Sequence, residues 1–320
     1  MISTTALPVP DAATSLRGPF RLAVAMLVVT TITILWGAMT TSTGSGLVYL
    51  DWPTSDGQLM PESSYTTLPG FLEHFHRLFG ATAGALSLSL AIWLHVGRGL
   101  DGARSAPPGA RATAWGGLGL IIVQGVVGGV GVRLGLPAVT SVTHGILAQL
   151  TLATFAWIAY QLSNRYRETA PVTTVPPGSG RTLALLALLV VVAQTVLGAV
   201  ARHTNNTNAL WAHAGNALVV FVVATIATAY AVGKLGGAPG IKRIAQAVIT
   251  LLILQIALGF VALVIRNAAG KTPENVANLA TALVISVHVL FGALLTVLMA
   301  TLAAHVFRAT RPPTSSGDVA

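Results

Sequence analysis

The chain has 320 residues, of which 53% are hydrophobic and 8% are charged, and its mean hydropathy is +0.75. Ordinary soluble domains carry about 25% charged residues, so this composition excludes a soluble enzyme, a disordered protein and a nucleic-acid-binding protein. The excess of 18 Lys+Arg over 9 Asp+Glu fits the positive-inside bias of membrane proteins better than a polyanionic partner. Cysteine is absent, which excludes disulfides, thiolate metal sites and thiol catalysis in this chain. The composition indicates an integral membrane protein.

Eight segments are long and apolar enough to cross a bilayer, whose core of about 30 Å needs roughly 20 helical residues. The first is not expected to be a cleaved signal peptide, because its apolar run has full length and no clear cleavage site follows. We predict an all-α integral membrane protein with these spans: Arg21–Thr41, Phe71–His95, Ala112–Val132, Val139–Gln161, Thr182–Ala201, Leu210–Val232, Ile244–Ile265 and Leu279–Val306. Pro/Gly-rich breaks predict three of the loops: Ala106–Gly109, Pro171–Gly180 and Gly236–Gly240.

The distribution of positive charge between the loops predicts the orientation in the cell membrane. Only five of the 18 Lys and Arg residues fall on the side of the long first loop: Arg77, Arg133, Arg202, Arg266 and Lys271. That side is therefore expected to face outwards, and both termini are expected in the cytoplasm. We expect five parts: a tail over residues 1–20, a first four-helix half over 21–163 with the outer loop 42–70, a linker over 164–181, a second four-helix half over 182–306, and a tail over 307–320.

A repeated residue pattern predicts that the eight spans form two similar four-helix bundles. Three outward-running spans carry a Gln-x-x-x-Gly step, and the first span has Thr33 and Gly37 in the matching places. The three steps are Gln124…Gly128, Gln194…Gly198 and Gln255…Gly259. Each of the four spans is followed by a loop and then by a span with a histidine near its outer end: His76, His144, His213 and His288. Because each half has an even number of spans, the repeat is expected to be parallel.

Four histidines at equivalent positions of a repeat favour metal ligation. A single histidine in a span is as often a hydrogen-bonded packing residue, but ionisable groups inside a bilayer are costly and by default functional. Neutral imidazole is a common metal ligand and an axial ligand of haem iron, whereas a zinc site needs further ligands that the inner spans do not offer. One turn beyond each histidine lies a small residue: Gly80, Ala148, Ala217 and Gly292. A small side chain at this place leaves room for a porphyrin beside the imidazole. Alternatively, it allows close contact with a neighbouring helix. We predict two haem sites near the outer face.

Glu73 stands three residues before His76 and four before Arg77, so the three side chains lie on one helical face. His74 lies about 200° around the helix from His76 and is expected to face elsewhere. Two interpretations of Glu73 stay open. It is either a solvated glutamate near a helix start, which the helix dipole stabilises, or a general base or charge-stabilising group beside a haem ligand.

The remaining histidines are expected to have lesser roles. His203, beside Arg202 in the third outer loop, is either a partner of a haem propionate or a solvated loop residue. His95 and His305 lie at the cytoplasmic ends of their spans, where we expect them to be interfacial.

The first loop and the start of the second span resemble the bacterial heme A synthase family. The loop at Thr41–Pro61 reads TSTGSGLVYLDWPTSDGQLMP, and the span opens with Glu73-His74-Phe75-His76-Arg77. That family has a TGSGL…DWP loop and a Glu-x-x-His-Arg motif at the corresponding places. The similarity covers essentially Arg21–Val306 and extends to further segments: the QGVVGG step at Gln124, the helix of His144, the VLGAVARHTN segment at Val196–Asn205, and the helices of His213 and His288.

The resemblance implies an enzyme that oxidises the C8 methyl group of heme O to a formyl group and so makes heme A for respiratory terminal oxidases. It implies that His213 and His288 hold a heme b cofactor. It also implies that His76 and His144 hold the substrate haem, with Glu73 beside the reacting methyl group. Three residues are expected to support the haem sites: Arg77, Arg202 and His203. The four-electron oxidation is most simply written as two successive hydroxylations followed by loss of water.

The chain departs from the family pattern at two places. Many bacterial members carry cysteine pairs in the outer loops, whereas this chain has none and has Ser55 near one such place. Some members have a basic residue before the TGSGL segment, and here the stretch is Thr40-Thr41-Ser42-Thr43.

The expected partners are heme O and heme A, membrane lipid, heme O synthase, the terminal oxidase assembly and a second copy of the chain, but no nucleic acid.

Two other functions are open on the residues alone. A non-enzymatic dihaem b-type cytochrome that passes electrons to or from quinones would use the same histidines, but it does not account for Glu73 beside His76. A transporter is compatible with paired halves. The broken spans and midplane charges that are typical of transporters are missing from the sequence pattern.

Overall fold

The computed structural model describes residues 16–96, 106–107, 109–170, 172, 177–268 and 279–310. Within these ranges the regular structure is helical, with no strand, which confirms the predicted all-α class. Eight of the helices are long, and we number them α1 to α8: Arg17–Ser42, Leu68–Val96, Ala110–Arg133, Ala138–Leu162, Pro177–Thr204, Thr207–Leu235, Ile241–Ala268 and Leu279–Ala309.

All eight long helices have the length and composition to cross a membrane, so the chain is a multi-pass membrane protein. Their ends differ from the prediction by a few residues. Helix α1 begins at Arg17, within the segment predicted as a tail. Helix α5 begins at Pro177, so the last part of the predicted loop Pro171–Gly180 is helical, since proline is well suited to a first helical turn. Short helices at Ser63–Thr66 and Asn164–Glu168 lie in the first loop and in the linker.

The contacts between helices trace two rings of four, and we call each ring a helix group. Helices α1, α2, α3 and α4 contact one another in ring order, and so do α5, α6, α7 and α8. The two groups meet where α8 contacts α1 and α4, and where α4 contacts α5. That the two groups are copies of one repeat stays a prediction, as do the orientation in the membrane and the division into parts.

Buried apolar side chains fill each group and the boundary between them. Cores within α1–α4 and within α5–α8 contain, for example, Phe155 and Met299. A smaller cluster of Ile34, Leu152 and Ala293 joins α1, α4 and α8 across the boundary. Many other large apolar side chains are exposed on the outer faces, which suits helices that face lipid.

A tight turn joins α5 to α6 at one end of the molecule. Only Asn205 and Asn206 separate α5 from α6. Asn205 has a φ of 53°, a left-handed conformation that asparagine tolerates better than most residues. The side chain of Asn206 caps α6 by accepting a hydrogen bond from the N–H of Ala209 at 2.9 Å. We call this end, where α2, α4, α6 and α8 begin, the histidine end.

Candidate functional site

The four predicted histidines lie in two pairs near the histidine end. The ring centroids of His76 and His144, on α2 and α4, are 6.2 Å apart. Those of His213 and His288, on α6 and α8, are also 6.2 Å apart. Two metal–imidazole bonds of about 2.0 Å on opposite sides of one ion place the ring centroids roughly 6 Å apart. The separation within each pair is thus compatible with two imidazole rings that bind one iron.

Backbone carbonyls of the facing helices hold the imidazole rings. In three cases Nδ1 is hydrogen-bonded to such a carbonyl: His76 to Thr33 (3.0 Å), His144 to Gln124 (3.1 Å) and His213 to Gln194 (3.0 Å). A carbonyl oxygen only accepts, so Nδ1 carries the proton and Nε2 keeps the lone pair that a metal needs. Among the described residues, Nδ1 of His288 has no hydrogen-bond partner.

A glycine on the facing helix makes room for each ring. Cβ atoms built on these glycines would lie less than 3 Å from Cε1 of the imidazole, closer than real Cβ atoms approach. The distances are 2.6 Å for Gly37 and His76, 2.7 Å for Gly128 and His144, 2.8 Å for Gly198 and His213, and 2.8 Å for Gly259 and His288. The Gln-x-x-x-Gly step thus has a physical role that sequence reasoning missed. In the steps at Gln124 and Gln194 the first residue holds the ring through its carbonyl and the glycine admits the ring, whereas in the step at Gln255, among the described residues, only the glycine contact is present.

The donor set of each pair fits haem better than a bare metal ion. Among the described residues, no group of three or more His, Cys, Asp or Glu side chains lies together, whereas a structural zinc site has four protein ligands. A haem iron needs only axial ligands from the protein. At one site, the amide nitrogen of Gln124 lies 3.3 Å from Nε2 of His144, so a ligand at that nitrogen has to displace it.

Glu73 is buried, with 2% of its surface exposed. One carboxylate oxygen accepts hydrogen bonds from the N–H groups of Val48 at 2.7 Å and Tyr49 at 3.2 Å. The other oxygen is ion-paired with Arg77. The interpretation of Glu73 as a solvated residue is therefore wrong, because the first loop covers the carboxylate.

Arg77 binds the same loop through its backbone. Its guanidinium donates to the carbonyl oxygens of Asp51 at 2.7 Å, Thr54 at 2.5 Å and Tyr49 at 2.8 Å. The predicted cluster of three side chains is thus divided. Glu73 and Arg77 hold residues 48–54 against α2, whereas the ring of His76 is hydrogen-bonded to α1.

The loop is also fixed by its own residues. His74 is 3% exposed, and its Nδ1 lies 3.0 Å from Oγ of Ser55. Trp52 packs against Gly129 of α3, next to the glycine that admits His144. The carboxylate of Asp51 accepts hydrogen bonds from the Thr54 hydroxyl and from the N–H groups of Gly57 and Asp56, which hold its pKa well below the ordinary value.

Arg202 and His203 lie in the last turn of α5, so their predicted placement in a loop is wrong. The guanidinium of Arg202 donates to the carbonyl oxygen of Ala38 and to the hydroxyl of Ser42, both at 2.8 Å. That hydroxyl lies 3.1 Å from the Ser286 hydroxyl of α8. Arg202 therefore joins the two helix groups at the histidine end. Within the described part of the chain, no carboxylate forms an ion pair with it.

The two histidines predicted to be interfacial differ from each other. His95 is exposed and lies beside Trp115, with ring centroids 5.9 Å apart. His305 is fully buried, and its Nε2 lies 3.2 Å from the hydroxyl of Thr169. The prediction is wrong for His305, because the linker packs over the end of α8.

The family model described as cytochrome oxidase assembly protein matches residues 20–219, more than half of the chain. The chain belongs to this family. The match includes both histidines of the first pair and His213, and it ends within α6, before His288. The family assignment confirms the resemblance found in the first loop and the second span.

Several relatives are named heme A synthase. The protein from Methylobacterium radiotolerans is 30% identical over 153 residues, which are 46% of this chain and 40% of that protein. The protein from Roseobacter denitrificans is 28% identical over 47% of this chain and 38% of its own length. The protein from Symbiobacterium thermophilum is 29% identical over 54% of this chain and 55% of its own length. The matches thus span about half or less of these relatives.

Proposed function

We propose that this protein is a heme A synthase, which oxidises the C8 methyl group of heme O to a formyl group and so makes heme A for terminal oxidases. The observation that carries the proposal is the presence of two histidine pairs with the same ring separation of 6.2 Å. Family membership and the names of the relatives support the same activity. A substrate haem and a cofactor haem together account for two sites.

We assign His213 and His288 to a heme b cofactor and His76 and His144 to the substrate haem. The spacing within each pair and the Nδ1–H bonds to facing carbonyls support ligation through Nε2. Which pair holds which haem follows the family resemblance. A bound heme b supplies one-electron transfer to the reaction, while the chain orients the substrate.

Glu73 is the proposed catalytic residue. Its carboxylate is buried on α2, three residues before the proposed substrate ligand His76, and is held in place by Arg77 and two backbone N–H groups. A fixed carboxylate at this position would accept a proton from the reacting carbon or stabilise positive charge there. We infer two successive hydroxylations, each of which adds one oxygen atom to the methyl carbon and passes two electrons to an external acceptor. The resulting gem-diol then loses water to leave the formyl group.

Arg202 is proposed to bind a haem carboxylate, with His203 and Arg77 as further supporting residues. Arg202 donates only to neutral acceptors, Ala38 and Ser42, among the described residues. A partly buried cation is stabilised by a counter-charge, which a propionate group of a haem supplies. Because Arg202 lies where the two helix groups meet, it is suited to a carboxylate of either haem.

We also propose where the protein lies in the cell and which molecules it meets there. The protein would lie in the cell membrane with both termini in the cytoplasm, as the positive charges predict. It would receive heme O from a heme O synthase and deliver heme A to the terminal oxidase assembly, with surrounding lipid and a second copy of the chain as further partners.

The experiment uses a bacterial host that makes heme O and lacks its own heme A synthase. Haems extracted from membranes and from the purified protein are identified by mass. We expect heme A with the unaltered chain, no heme A with His76→Ala or His144→Ala, and loss of heme b from purified His213→Ala or His288→Ala. His95→Ala, at an exposed histidine of the other end, is the matched control and should keep both haems.

The outcome separates the enzyme from the dihaem cytochrome. Two permanently bound b haems in the purified protein, with heme O left unconverted, would establish the cytochrome and overturn the proposal. Full haem content in both His213→Ala and His288→Ala would overturn the assignment of the cofactor pair.

A further inference from the structure

A cavity of about 100 Å³ lies at the end of the bundle opposite the histidine pairs. It is a half-open cavity between the last turns of α4 and α8 and the short linker helix Asn164–Glu168. The lining includes Trp157, Tyr160, Gln161, Tyr166, Phe307 and Arg308. Because α4 ends at Leu162 and α8 at Ala309, we expect the cavity to lie at the level of the lipid headgroups.

Two lining side chains have polar atoms without partners. The hydroxyl of Tyr160 and the amide oxygen of Gln161 are buried and make no hydrogen bond to any described residue. The two residues are only 5% and 8% exposed. A buried polar group without a partner is costly. A ligand that donates hydrogen bonds to both oxygens would remove this cost.

Positive charge surrounds the same cavity. The guanidinium of Arg308 stacks 4.8 Å from the ring centre of Tyr166 and donates to the Tyr166 carbonyl at 2.9 Å. Arg181 stacks 5.1 Å from the ring centre of Phe307, the residue before Arg308. In the described parts of the chain, neither arginine forms an ion pair with a carboxylate. The charge at this end therefore favours an anion.

We propose that this cavity binds the headgroup of an anionic phospholipid of the phosphatidylglycerol type. The phosphate would pair with Arg308, and glycerol hydroxyls would donate to Tyr160 and Gln161. Basic pockets between spanning helices at the headgroup level suit such lipids. The volume admits a headgroup and not acyl chains, which would remain in the membrane. Because α4 and α8 belong to different helix groups, the lipid would bridge the two groups.

The test compares the full-length purified protein with three variants in nanodiscs and by native mass spectrometry. Arg308→Gln removes the proposed phosphate partner. Tyr160→Phe removes only a hydroxyl that has no partner, so its fold is kept even if Arg308→Gln is unstable. Arg243→Gln is the matched control, because Arg243 is an exposed arginine at the start of α7 at the same end. The probes are phosphatidylglycerol, phosphatidylcholine and inorganic phosphate.

We expect the unaltered protein to retain phosphatidylglycerol in preference to phosphatidylcholine. Apparent affinity should fall roughly fivefold to tenfold in Arg308→Gln, as expected for one arginine at a lipid headgroup. It should fall about threefold in Tyr160→Phe and stay unchanged in Arg243→Gln. Equal binding of phosphatidylcholine, unchanged binding by Tyr160→Phe, or an equal effect of inorganic phosphate alone would overturn the proposal. None of these results depends on haem content.

Discussion

Gly198 of α5 lies directly against the imidazole ring of His213 on α6, and a Cβ atom at Gly198 would be 2.8 Å from Cε1 of that ring. One turn earlier on α5, the carbonyl of Gln194 accepts the Nδ1–H of the same ring at 3.0 Å. The same combination of a carbonyl and a glycine holds the rings of His76 and His144. Ring position is therefore set by the facing helix as much as by the helix that carries the histidine.

Gly198→Ala should displace the His213 ring and lower the heme b content of the purified protein. The added methyl group overpacks this contact, which costs about 1–3 kcal/mol. Gly215→Ala is the matched control, because a Cβ atom at Gly215 would meet nothing within 4 Å. Haem per protein, measured by absorbance and by mass, should fall only in Gly198→Ala. Equal haem content in both variants would show that the glycine does not set the ring position.

Glu73→Gln should keep the first loop in place but stop the oxidation. The amide oxygen of glutamine can still accept the N–H groups of Val48 and Tyr49. The ion pair with Arg77 is lost, but Arg77 keeps its three hydrogen bonds to loop carbonyls. Glutamine carries no charge and cannot take a proton. We expect normal expression and heme b, with heme O or a hydroxylated intermediate in place of heme A. A group that acts in the transition state lowers turnover and leaves binding nearly unchanged.

The same variant distinguishes a catalytic role from a purely structural one. Tyr49→Phe is the comparison, since it removes the 2.8 Å contact with the Ser63 hydroxyl and loosens the loop without touching the carboxylate. Limited proteolysis of the loop is measured beside the haem products. Normal heme A production by Glu73→Gln would show that Glu73 only anchors the loop. The same conclusion would follow if both variants lost heme A production in proportion to the cleavage of the loop.

Single cysteines test the orientation, because the chain has no native cysteine. Leu59 in the first loop is 88% exposed, and Ser179 at the start of α5 is exposed at the other end. The charge bias predicts that an impermeant thiol reagent labels Leu59→Cys and not Ser179→Cys in intact cells. The reverse result would invert the topology. Ser55 is unsuitable, since it is 2% exposed.

The turn around Asp51 should loosen in acid. Hydrogen bonds lower the pKa of this carboxyl in the folded loop. The ionised form therefore stabilises the turn at pH values above the ordinary pKa of about 3.9. That stabilisation is lost as the pH falls from there towards the lower pKa of the folded loop. Hydrogen exchange of the Gly57 amide, corrected for intrinsic rates, should therefore rise between pH 5 and pH 3. In Asp51→Asn the rise should be absent. An unchanged exchange rate in the native chain would contradict this role.

The contacts between the first loop and α2 could not be predicted from the sequence. The motif Glu73-His74-Phe75-His76-Arg77 was predicted to present Glu73, His76 and Arg77 to one site, on helical spacing alone. In the structure the first loop binds Glu73 and Arg77, whereas the ring of His76 is hydrogen-bonded to α1. Loop contacts depend on a backbone path between residues 43 and 67 that no periodicity encodes. For the same reason, the burial of His305 and the helical position of Arg202 were missed.

The sequence by itself determined the membrane class, the eight helices, the four candidate histidines and the family, because long apolar runs and spaced motifs are local properties of the chain. The family resemblance implied the pairing of His76 with His144 and of His213 with His288, and only the tertiary structure decided that both pairs have the same ring separation. It also decided that Gly198 and its counterparts admit the rings. These are contacts between different helices, and close packing of helices, rather than the order of residues along one of them, sets such distances.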